Sequence, residues 1–386
     1  MPWKESTRMD ERLAFVKAYL SGLYQMAELC RCAGVSRPTG YFWLERFRQQ
    51  GEAGLLDRSH AVHHCPHRTA MHTGERLLQL RREHPYWGPR KLLAVAHRRW
   101  PEEHWPGRST VAELLKRKGL SQPPRRRSRQ PERGGTCART PRHPNELWTF
   151  DFKGEFRMLD RQYCHPLTTT DLASRKILQL VALPSTAGAP VEHHTDALMR
   201  ELGLPARIHS DGGCPFAGPG IGHLSRLGLH WLKLGIELER SRPATPADNA
   251  SHERMHRTLK QETTRPPAPN MRRQQRRFDR FRAEFNHERP HESLDDRTPE
   301  EFYRPSLRPF PERLEDVSYP GHFELRRITH GGSLCWRSSR FFLSSVLAHE
   351  TVGLEEIEDG VWSIYFARHL LARLDEHLAR IIEVPV

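Results

Sequence analysis

The sequence predicts an α/β core, a mixed five-stranded sheet with helices, preceded by all-α helix-turn-helix domains and followed by a small β-barrel-like domain. Two observations carry this prediction. Between residues 146 and 305, short apolar strands come first and then alternate with helical patterns, as in α/β folds. From residue 317 to residue 386, short apolar runs are separated by Gly-containing turns, which is typical of small β domains.

The charge of the chain is distributed unevenly. Its 386 residues carry a formal net charge of +14, and residues 1–150 hold 28 Lys or Arg against 14 Asp or Glu. This excess indicates that the N-terminal part binds a polyanion, with nucleic acid as the first candidate and a generally basic protein as the alternative. We expect a cytoplasmic protein, because no apolar run reaches the roughly 20 residues of a membrane span and the seven cysteines form no disulfide framework.

Residues 1–50 have the pattern of a helix-turn-helix DNA-binding domain. Apolar residues at helical spacing predict a first helix over residues 10–20 and a short second helix that ends at Gly34. Ser36 is the expected cap of a third helix, on which Arg37 and Arg46 accompany aromatic residues and would contact DNA. A three-helix unit that binds no DNA is the alternative.

A second helix-turn-helix or winged-helix domain is expected over residues 70–120, with helices near residues 75–84 and 88–99 and a third that begins at Ser109. The connection before it holds four potential zinc ligands, but no second ligand pair follows at zinc-finger spacing, so an ordinary connection is favoured. These four are His63, His64, Cys65 and His67.

Residues 121–145 form a basic linker by composition, because prolines block regular structure and arginines repel one another. Its central run, which we expect to lie along DNA, is Arg125, Arg126 and Arg127. An ordinary solvated spacer is the alternative interpretation.

The core is expected over residues 146–305. In order, the predicted elements are strands at 148–152, 164–170 and 177–183, a helix at 189–202, a strand at 206–210, a helix at 224–234, a strand at 236–239, and a helix capped by Asp248 or Asn249. A long polar helix follows within residues 271–300. Its phenylalanines Phe278, Phe281 and Phe285 are spaced as a buried stripe.

Three acidic residues occupy key positions on these elements. Asp151 lies on the first strand, Asp211 ends a strand before two glycines, and Glu253 lies in the first turns of a capped helix. Arg257 and Lys260 share the helix face of Glu253. Carboxylates bind Mg²⁺ and cations hold phosphate oxygens, so this combination favours a phosphodiester substrate. Each acid alone is more often a solvated group or a cap, and their order along the chain carries the inference.

With these residues the chain resembles the bacterial insertion-sequence transposases of the DDE type, which have a retroviral-integrase-like catalytic core. The resemblance covers nearly the whole chain. Its motifs include Asp151-Phe152-Lys153-Gly154, His252-Glu253-Arg254-Met255-His256, Phe285-Asn286-His287-Glu288-Arg289-Pro290-His291 and Tyr319-Pro320-Gly321-His322-Phe323. The chain departs from the family pattern at Gly212, where Asn is usual, and at Ala250, where Gly is usual.

The resemblance implies a ribonuclease-H-like core in which Asp151, Asp211 and Glu253 form the metal-binding triad and Lys260 meets DNA. It also implies two Mg²⁺ ions, for which Mn²⁺ can substitute, about 3.5 to 4 Å apart. The expected reaction is cleavage of double-stranded DNA at terminal inverted repeats, after which the freed 3′-hydroxyl attacks target DNA. A homo-oligomeric synaptic complex, associated with the bacterial nucleoid, would carry it out.

Two other functions remain open from the sequence. One is an inactive helix-turn-helix DNA-binding protein derived from a transposase, and the other is a ribonuclease-H-like nuclease that only hydrolyses. A fourth acid, Asp171, is interpreted as structural. The histidines His209, His252 and His256 are interpreted as hydrogen-bonding or DNA-facing residues rather than metal ligands.

Overall fold

The computed structural model describes residues 6–58, 69–121, 140–218, 220–240 and 250–384. The chain forms two compact units that divide between Thr69 and Ala70. Several residues singled out in the sequence lie outside the described ranges, namely His63, His64, Cys65, His67, Arg125, Arg126, Arg127, Asp248 and Asn249. Within the described ranges, no helix is long and apolar enough to cross a membrane.

The first unit contains three helices and a 3-10 turn. They are α1 (Arg8–Leu20), α2 (Met26–Cys32), α3 (Arg37–Gln50) and the turn Gly51–Leu55. As the sequence predicts, Ser36 caps α3, because its hydroxyl accepts a hydrogen bond from the Thr39 backbone N–H. Gly40 allows α3 to approach α2 closely, since a Cβ there would lie 2.7 Å from Cys30 Sγ.

The second unit begins with three more helices, which share an apolar core that includes Leu77, Trp87 and Leu92. They are α4 (Met71–Glu83), α5 (Pro89–Arg99) and α6 (Arg108–Arg117). The third begins one residue before the expected cap Ser109, and its N-cap is Gly107, which makes no side-chain capping bond.

A mixed sheet forms the centre of the second unit. Its strands are β1 (Leu147–Phe152), β2 (Phe156–Arg157), β3 (Tyr163–Asp171), β4 (Ile177–Leu183), β5 (Arg207–Ser210) and β6 (Glu237–Arg240). The order across the main sheet is β4-β3-β1-β5-β6, with β5 parallel to β1 and β6 and the other pairs antiparallel. This is the expected mixed five-stranded sheet, and the two-residue strand β2 pairs with β3 in addition.

Five helices accompany the sheet: α7 (Gly188–Leu202), α8 (Arg226–Lys233), α9 (Ala250–Thr263), α10 (Met271–His287) and α11 (Pro299–Phe302). Trp148 and Phe150 of β1 pack with Trp231 of α8 in the main apolar core. The predicted stripe of Phe278, Phe281 and Phe285 is buried against β4 and α9, which confirms its role in packing.

Side chains of α10 complete the outer edge of β4. Asn286 Oδ1 accepts the Ile177 N–H at 2.9 Å, and its Nδ2 donates to the Ile177 carbonyl at 2.8 Å. Gln275 makes the same pair of bonds with the Ala182 N–H and the Leu180 carbonyl. An edge strand exposes unpaired backbone groups, so these amides protect β4 as a neighbouring strand would.

Helices of both parts of the second unit are joined by ion pairs. His84 Nδ1 lies 2.7 Å from Glu284 Oε1 of α10, and Arg90 Nε lies 3.1 Å from Asp296 Oδ1. The three-helix region is thereby held against the sheet-bearing region, next to the C-terminal end of α10.

The C-terminal strands differ from the expected closed barrel. They are β7 (Glu324–Arg327), β8 (Ser333–Trp336), β9 (Ser339–Phe342), β10 (Thr351–Glu358), β11 (Val361–Phe366), β12 (His369–Asp375) and β13 (Arg380–Glu383). Up to residue 384 they form an open antiparallel sheet, β13-β12-β11-β10-β7, and a separate β8-β9 hairpin. Closure is unnecessary because Leu224, Leu229 and Leu232 of the core pack into the same apolar cluster as this sheet.

We expect Asn286→Leu to lower the free energy of unfolding by about 2 to 4 kcal/mol, because leucine leaves the buried N–H and carbonyl of Ile177 unpaired. Urea unfolding followed by tryptophan fluorescence measures this. His287→Leu, at the exposed neighbouring position, is the control and should change the free energy by less than about 0.5 kcal/mol. Equal effects of the two changes would contradict the edge-protecting role of Asn286.

Candidate active site

The pairing of β1 with β5 brings two of the three acids to one edge of the sheet. The parallel register sets Thr149 opposite His209 and Phe150 opposite Ser210, where β5 ends. The next positions along the two strands are Asp151 and Asp211. Alternation puts Asp151 on the same face of the sheet as Thr149, away from the apolar face of Trp148 and Phe150. The Asp211 side chain is exposed, and its Oδ1 accepts the Gly213 N–H at 3.3 Å.

A buried polar layer joins that face of the sheet to α9. Thr149, Thr168 and Thr170 share the face, as the antiparallel register of β1 and β3 requires. His252 Nδ1 lies 2.8 Å from Thr149 Oγ1, and its Nε2 lies 2.5 Å from Thr168 Oγ1. His256 Nε2 lies 2.7 Å from the same Thr168 oxygen. These contacts fix α9 over β1, with Glu253 exposed beside His252 at the sheet edge.

The proton inventory of this layer determines the histidine tautomers. With the Thr168 hydroxyl donating its one proton to the Asp151 carbonyl at 2.9 Å, we assign both Nε2 atoms as donors to the Thr168 oxygen. Nδ1 of each ring then carries a lone pair. That of His252 lies 2.8 Å from Thr149 Oγ1 and 3.3 Å from Thr170 Oγ1, whereas that of His256 lies 3.7 Å from Asp151 Oδ2.

The two imidazoles are neutral. Burial, followed by the charge of His209, lowers the pKa of His252 to about 3. Burial, followed by the charge of His252, lowers the pKa of His256 to about 2. The contact between His256 and Asp151 is therefore not an ion pair at neutral pH, despite its short distance.

One group of potential metal-ligand atoms in the described residues combines Asp151, His252 and His256, which lie within 4.8 Å of one another. The hydrogen bonds just described occupy both nitrogens of His252, so that ring is unsuited to a metal. Only His256 Nδ1 keeps a lone pair directed at Asp151. This agrees with the interpretation of His252 as a hydrogen-bonding residue.

The pKa of Asp151 responds to both of the other acids. Burial, then the charge of Asp211 and, more weakly, that of Glu253 raise the pKa of Asp151 to about 7, against the opposing effects of the Phe152 N–H and of Lys153. Burial and the charge of Lys260 lower the pKa of Lys153, and the charge of Asp151 opposes them, so Lys153 interacts electrostatically with both groups. Carboxylates and cations thus meet at one sheet edge.

The remaining predicted residues have different surroundings. Arg257 and Lys260 are exposed on α9, and Arg37 is exposed at the start of α3. Arg46 is buried, donates to the Leu56 carbonyl at 2.8 Å and stacks on Trp43, so the structure gives it a packing role. This placement does not favour the DNA contact expected of Arg46.

Asp171 is structural, as the sequence predicts. Its carboxylate accepts the Asn145 N–H at 2.7 Å and the Ser174 N–H at 2.7 Å, so it ties two turns at the end of β3. At Gly212, the residue that departs from the family pattern, a Cβ would meet no atom within 4 Å. Packing therefore does not require glycine at that position.

Two features of the site have little signal in the sequence. Lys153 stands two residues after Asp151, just beyond the end of β1, where a lysine is ordinary. The other feature is the Thr168 hydroxyl. Its only signal is the run of threonines at 168–170, which is ordinary in strands.

We expect Asp151→Asn to change the pH dependence of stability in metal-free buffer. Because the pKa of Asp151 is about 7 when folded and 3.8 ordinarily, the folded state binds more protons, and the wild-type protein loses stability as pH rises from 4 to 7. Asparagine removes that loss, so the variant should gain roughly 3 kcal/mol relative to wild type over this window. Urea unfolding at several pH values tests this, with Asp160→Asn, an exposed position, as the control. A constant difference would show that Asp151 is not in the environment described.

Two family models match the chain. Residues 234–299 match the integrase core domain, a segment that contains Glu253, and residues 5–83 match the leucine-zipper of insertion element IS481. The first match ends at the start of α11, and the second spans α1 to α4.

Solved structures of integrases are similar to parts of the chain. The simian T-cell lymphotropic virus intasome has 14% identity and a TM-score of 0.38, covering 76% of this chain and 100% of that one. The HTLV-2 integrase catalytic core in complex with magnesium has 14% identity and a TM-score of 0.33, with 42% and 97% covered. The BIV integrase catalytic core has 19% identity and a TM-score of 0.32, with 41% and 93% covered.

The strand order and the family matches both indicate which proteins the chain resembles. The mixed sheet with order β4-β3-β1-β5-β6 is the ribonuclease-H-like arrangement that the sequence predicts. Together with the two matched segments, it confirms the resemblance to insertion-sequence transposases: residues 234–299 match an integrase core domain, and residues 5–83 match the leucine-zipper of insertion element IS481.

Proposed function

We propose that this chain is a transposase that cleaves double-stranded DNA at the ends of an insertion sequence and joins the freed ends to target DNA. The observation that carries the proposal is the parallel pairing of β1 with β5, which puts Asp151 and Asp211 at one sheet edge, and the influence of the Glu253 charge on Asp151 supports it. The matches to an integrase core and to an insertion-element protein support the same chemistry.

The three carboxylates fit a site for hard divalent cations. Oxygen ligands are those that Mg²⁺ prefers, and burial together with the charges of Asp211 and Glu253 makes the ionised form of Asp151 unfavourable without a compensating cation. Asp151 lies between the other two acids in the proposed arrangement, so it would contact two ions, while Asp211 and Glu253 would each contact one. Two bound Mg²⁺ ions, or Mn²⁺ in their place, would supply an activated nucleophile and stabilise the charge on the leaving oxygen.

The residues around the triad position it and bind phosphate. The Thr168 hydroxyl donates to the backbone carbonyl of Asp151 and so holds that backbone in place. His252 bonds the same hydroxyl and fixes the helix turn from which Glu253 extends. Lys153 and Lys260 stand beside the carboxylates, where ammonium groups attract the phosphates that flank the cleaved bond. We assign Arg257 the same role, on the exposed face of α9.

The expected partners are DNA and further copies of the chain. The exposed Arg37 on α3 would contact the terminal inverted repeats, and the basic run Arg125, Arg126 and Arg127 would bind phosphates between the two DNA-binding regions. Joining two ends to one target requires two active sites held together, so we expect a homo-oligomeric synaptic complex. Such a protein would be associated with the bacterial nucleoid.

We expect Asp151→Asn and Glu253→Gln each to reduce Mg²⁺-dependent cleavage and joining by about 1,000-fold or more, because each removes a charged metal ligand at the reacting bond. The affinity of each variant for a DNA duplex that carries the terminal inverted repeats of the insertion sequence should change little. Electrophoresis of labelled duplex measures cleavage and joining, and anisotropy in EDTA measures binding. Glu155→Gln, an exposed acid beside the same strand, is the control and should keep its activity.

The products distinguish the proposed function from its two alternatives. Nicking by the wild-type protein without any joined product would indicate a nuclease that only hydrolyses. Binding without cleavage by the wild-type protein in either Mg²⁺ or Mn²⁺ would indicate an inactive DNA-binding protein. If Asp151→Asn lost DNA binding together with thermal stability, the substitution would have unfolded the core, and the loss of activity would not be due to a missing metal ligand.

A further inference from the structure

A cavity of about 580 Å³ lies next to α9, where the three-helix region meets the core. Four parts of the second unit line it: the start of α5, the turn after β3, the first turns of α9, and the segment that follows α10. Glu253 is not among its lining residues, but both of its neighbours on α9, His252 and Arg254, are. The cavity is thus adjacent to the triad and separate from it.

The lining of this cavity is strongly cationic. Its five basic side chains are Lys91, Arg175, Arg254, Arg257 and Arg289. Of the two acids, Asp171 accepts hydrogen bonds from Asn145 and Ser174, and Glu292 is paired with Arg90. Both acids thus have other hydrogen-bond or ion-pair partners, and the basic side chains outnumber them. Arg289 lies 3.3 Å from Glu262, an acid outside the lining.

Lys91 has the most unusual environment of the five. It is half-buried, and its ammonium has neither a hydrogen bond nor an ion pair with any residue that the structure describes. Burial, followed by the charge of Arg289, lowers the pKa of Lys91 to about 7, against the weaker opposing charges of Glu262 and Asp296. An ammonium without a partner in such surroundings is unfavourable, and a bound anion would remove the penalty.

His291 supplies a second unpartnered polar group. Its Nε2 is buried and has no hydrogen-bond partner among the described residues. Burial, followed by the charges of Lys91 and Arg289, lowers the pKa of His291 to about 3, so its ring is neutral and one of its nitrogens donates. The Thr258 hydroxyl also lines the cavity. Cationic groups and neutral donors together make a site that suits a tetrahedral oxyanion.

We propose that this cavity binds a phosphate group, and that in the DNA complex this is a phosphodiester of the strand held at the triad. The volume fits a nucleotide-sized group rather than an isolated ion. Arg254 and Arg257 flank Glu253 within about one helical turn, 5.4 Å, so a phosphate held by them lies close to the cleaved bond. Only the DNA source rests on the proposed function, because a phosphate site stands without it.

Binding of inorganic tripolyphosphate to the full-length protein tests the phosphate site directly. By titration calorimetry in EDTA, we expect Lys91→Gln and Arg254→Gln each to weaken binding by about tenfold or more, since each removes a charged donor. Lys91→Arg should retain most of the affinity. Lys116→Gln, an exposed lysine on α6 outside the cavity, is the matched control and should bind as wild type does.

The salt dependence of duplex binding, also in EDTA, identifies the source of the phosphate. If DNA fills the cavity, Lys91→Gln should reduce the slope of log K against log salt by about 1, the value of one phosphate contact. If Lys91→Gln lost tripolyphosphate binding but left the salt slope of duplex binding unchanged, DNA would be rejected as the source of the phosphate. A free polyphosphate would then be the ligand of the cavity. Tripolyphosphate affinity equal in Lys91→Gln, Lys116→Gln and wild type would overturn the proposal. Because no cleavage occurs in EDTA, these results do not depend on whether the triad is active.

Discussion

The Thr168 hydroxyl holds α9 on the central sheet, and the position of Glu253 depends on it. This one oxygen accepts hydrogen bonds from His252 and His256, and its proton goes to the Asp151 carbonyl. A polar layer buried between sheet and helix has few satisfied arrangements, because each donor left unpaired costs about 1 to 3 kcal/mol. The helix can therefore not rotate or slide by one residue without breaking several bonds. Acids far apart in the chain are brought together by this layer and by the pairing of β1 with β5.

The same layer makes the site sensitive to pH in two opposing ways. His252 and His256 have pKa values of about 3 and 2 when folded, so the stability they contribute is present above pH 6.5 and is lost as pH falls below it. Asp151, with its raised pKa, acts in the opposite direction between pH 4 and 7. Without a cation the two effects partly cancel. A cation at the proposed triad would remove the Asp151 penalty and leave only the histidine dependence, so its binding would stabilise the fold most at neutral pH.

The local features of the fold could be predicted from the sequence, and the features that depend on pairing could not. Strand and helix positions, the Ser36 cap and the phenylalanine stripe of α10 follow from periodicity and capping residues, which act over a few positions. The open C-terminal sheet could not be predicted because it shares an apolar cluster with Leu229 and Leu232 of α8, and no local pattern shows which surface a strand will pack against. Likewise, the structural role of Arg46 depends on the Leu56 carbonyl and the Trp43 ring, which only the folded turn brings to it.

The residues of the candidate site divide in the same way into those with a local sequence signal and those whose role depends on strand pairing. The order of Asp151, Asp211 and Glu253 was readable because each stands next to a strand end or a helix start. The roles of Thr168 and Lys153 were not, since a threonine or lysine on or beside a strand carries no signal until the register is known. The register of β1 with β3 makes Thr168 the partner of Asp151, and that pairing is fixed by contacts across the sheet.

Helix α9 has three distinct faces, and each has a different physical task. His256 and Leu259 are buried against the sheet, Glu253 and Lys260 are exposed, and Arg254, Arg257 and Thr258 line the cationic cavity, as does the buried His252. Because these faces belong to one rigid helix, a DNA phosphate held in the cavity would fix the distance between the DNA backbone and Glu253. The contacts that dock α9 on the sheet thus determine both which carboxylates meet and where a bound strand would lie relative to them.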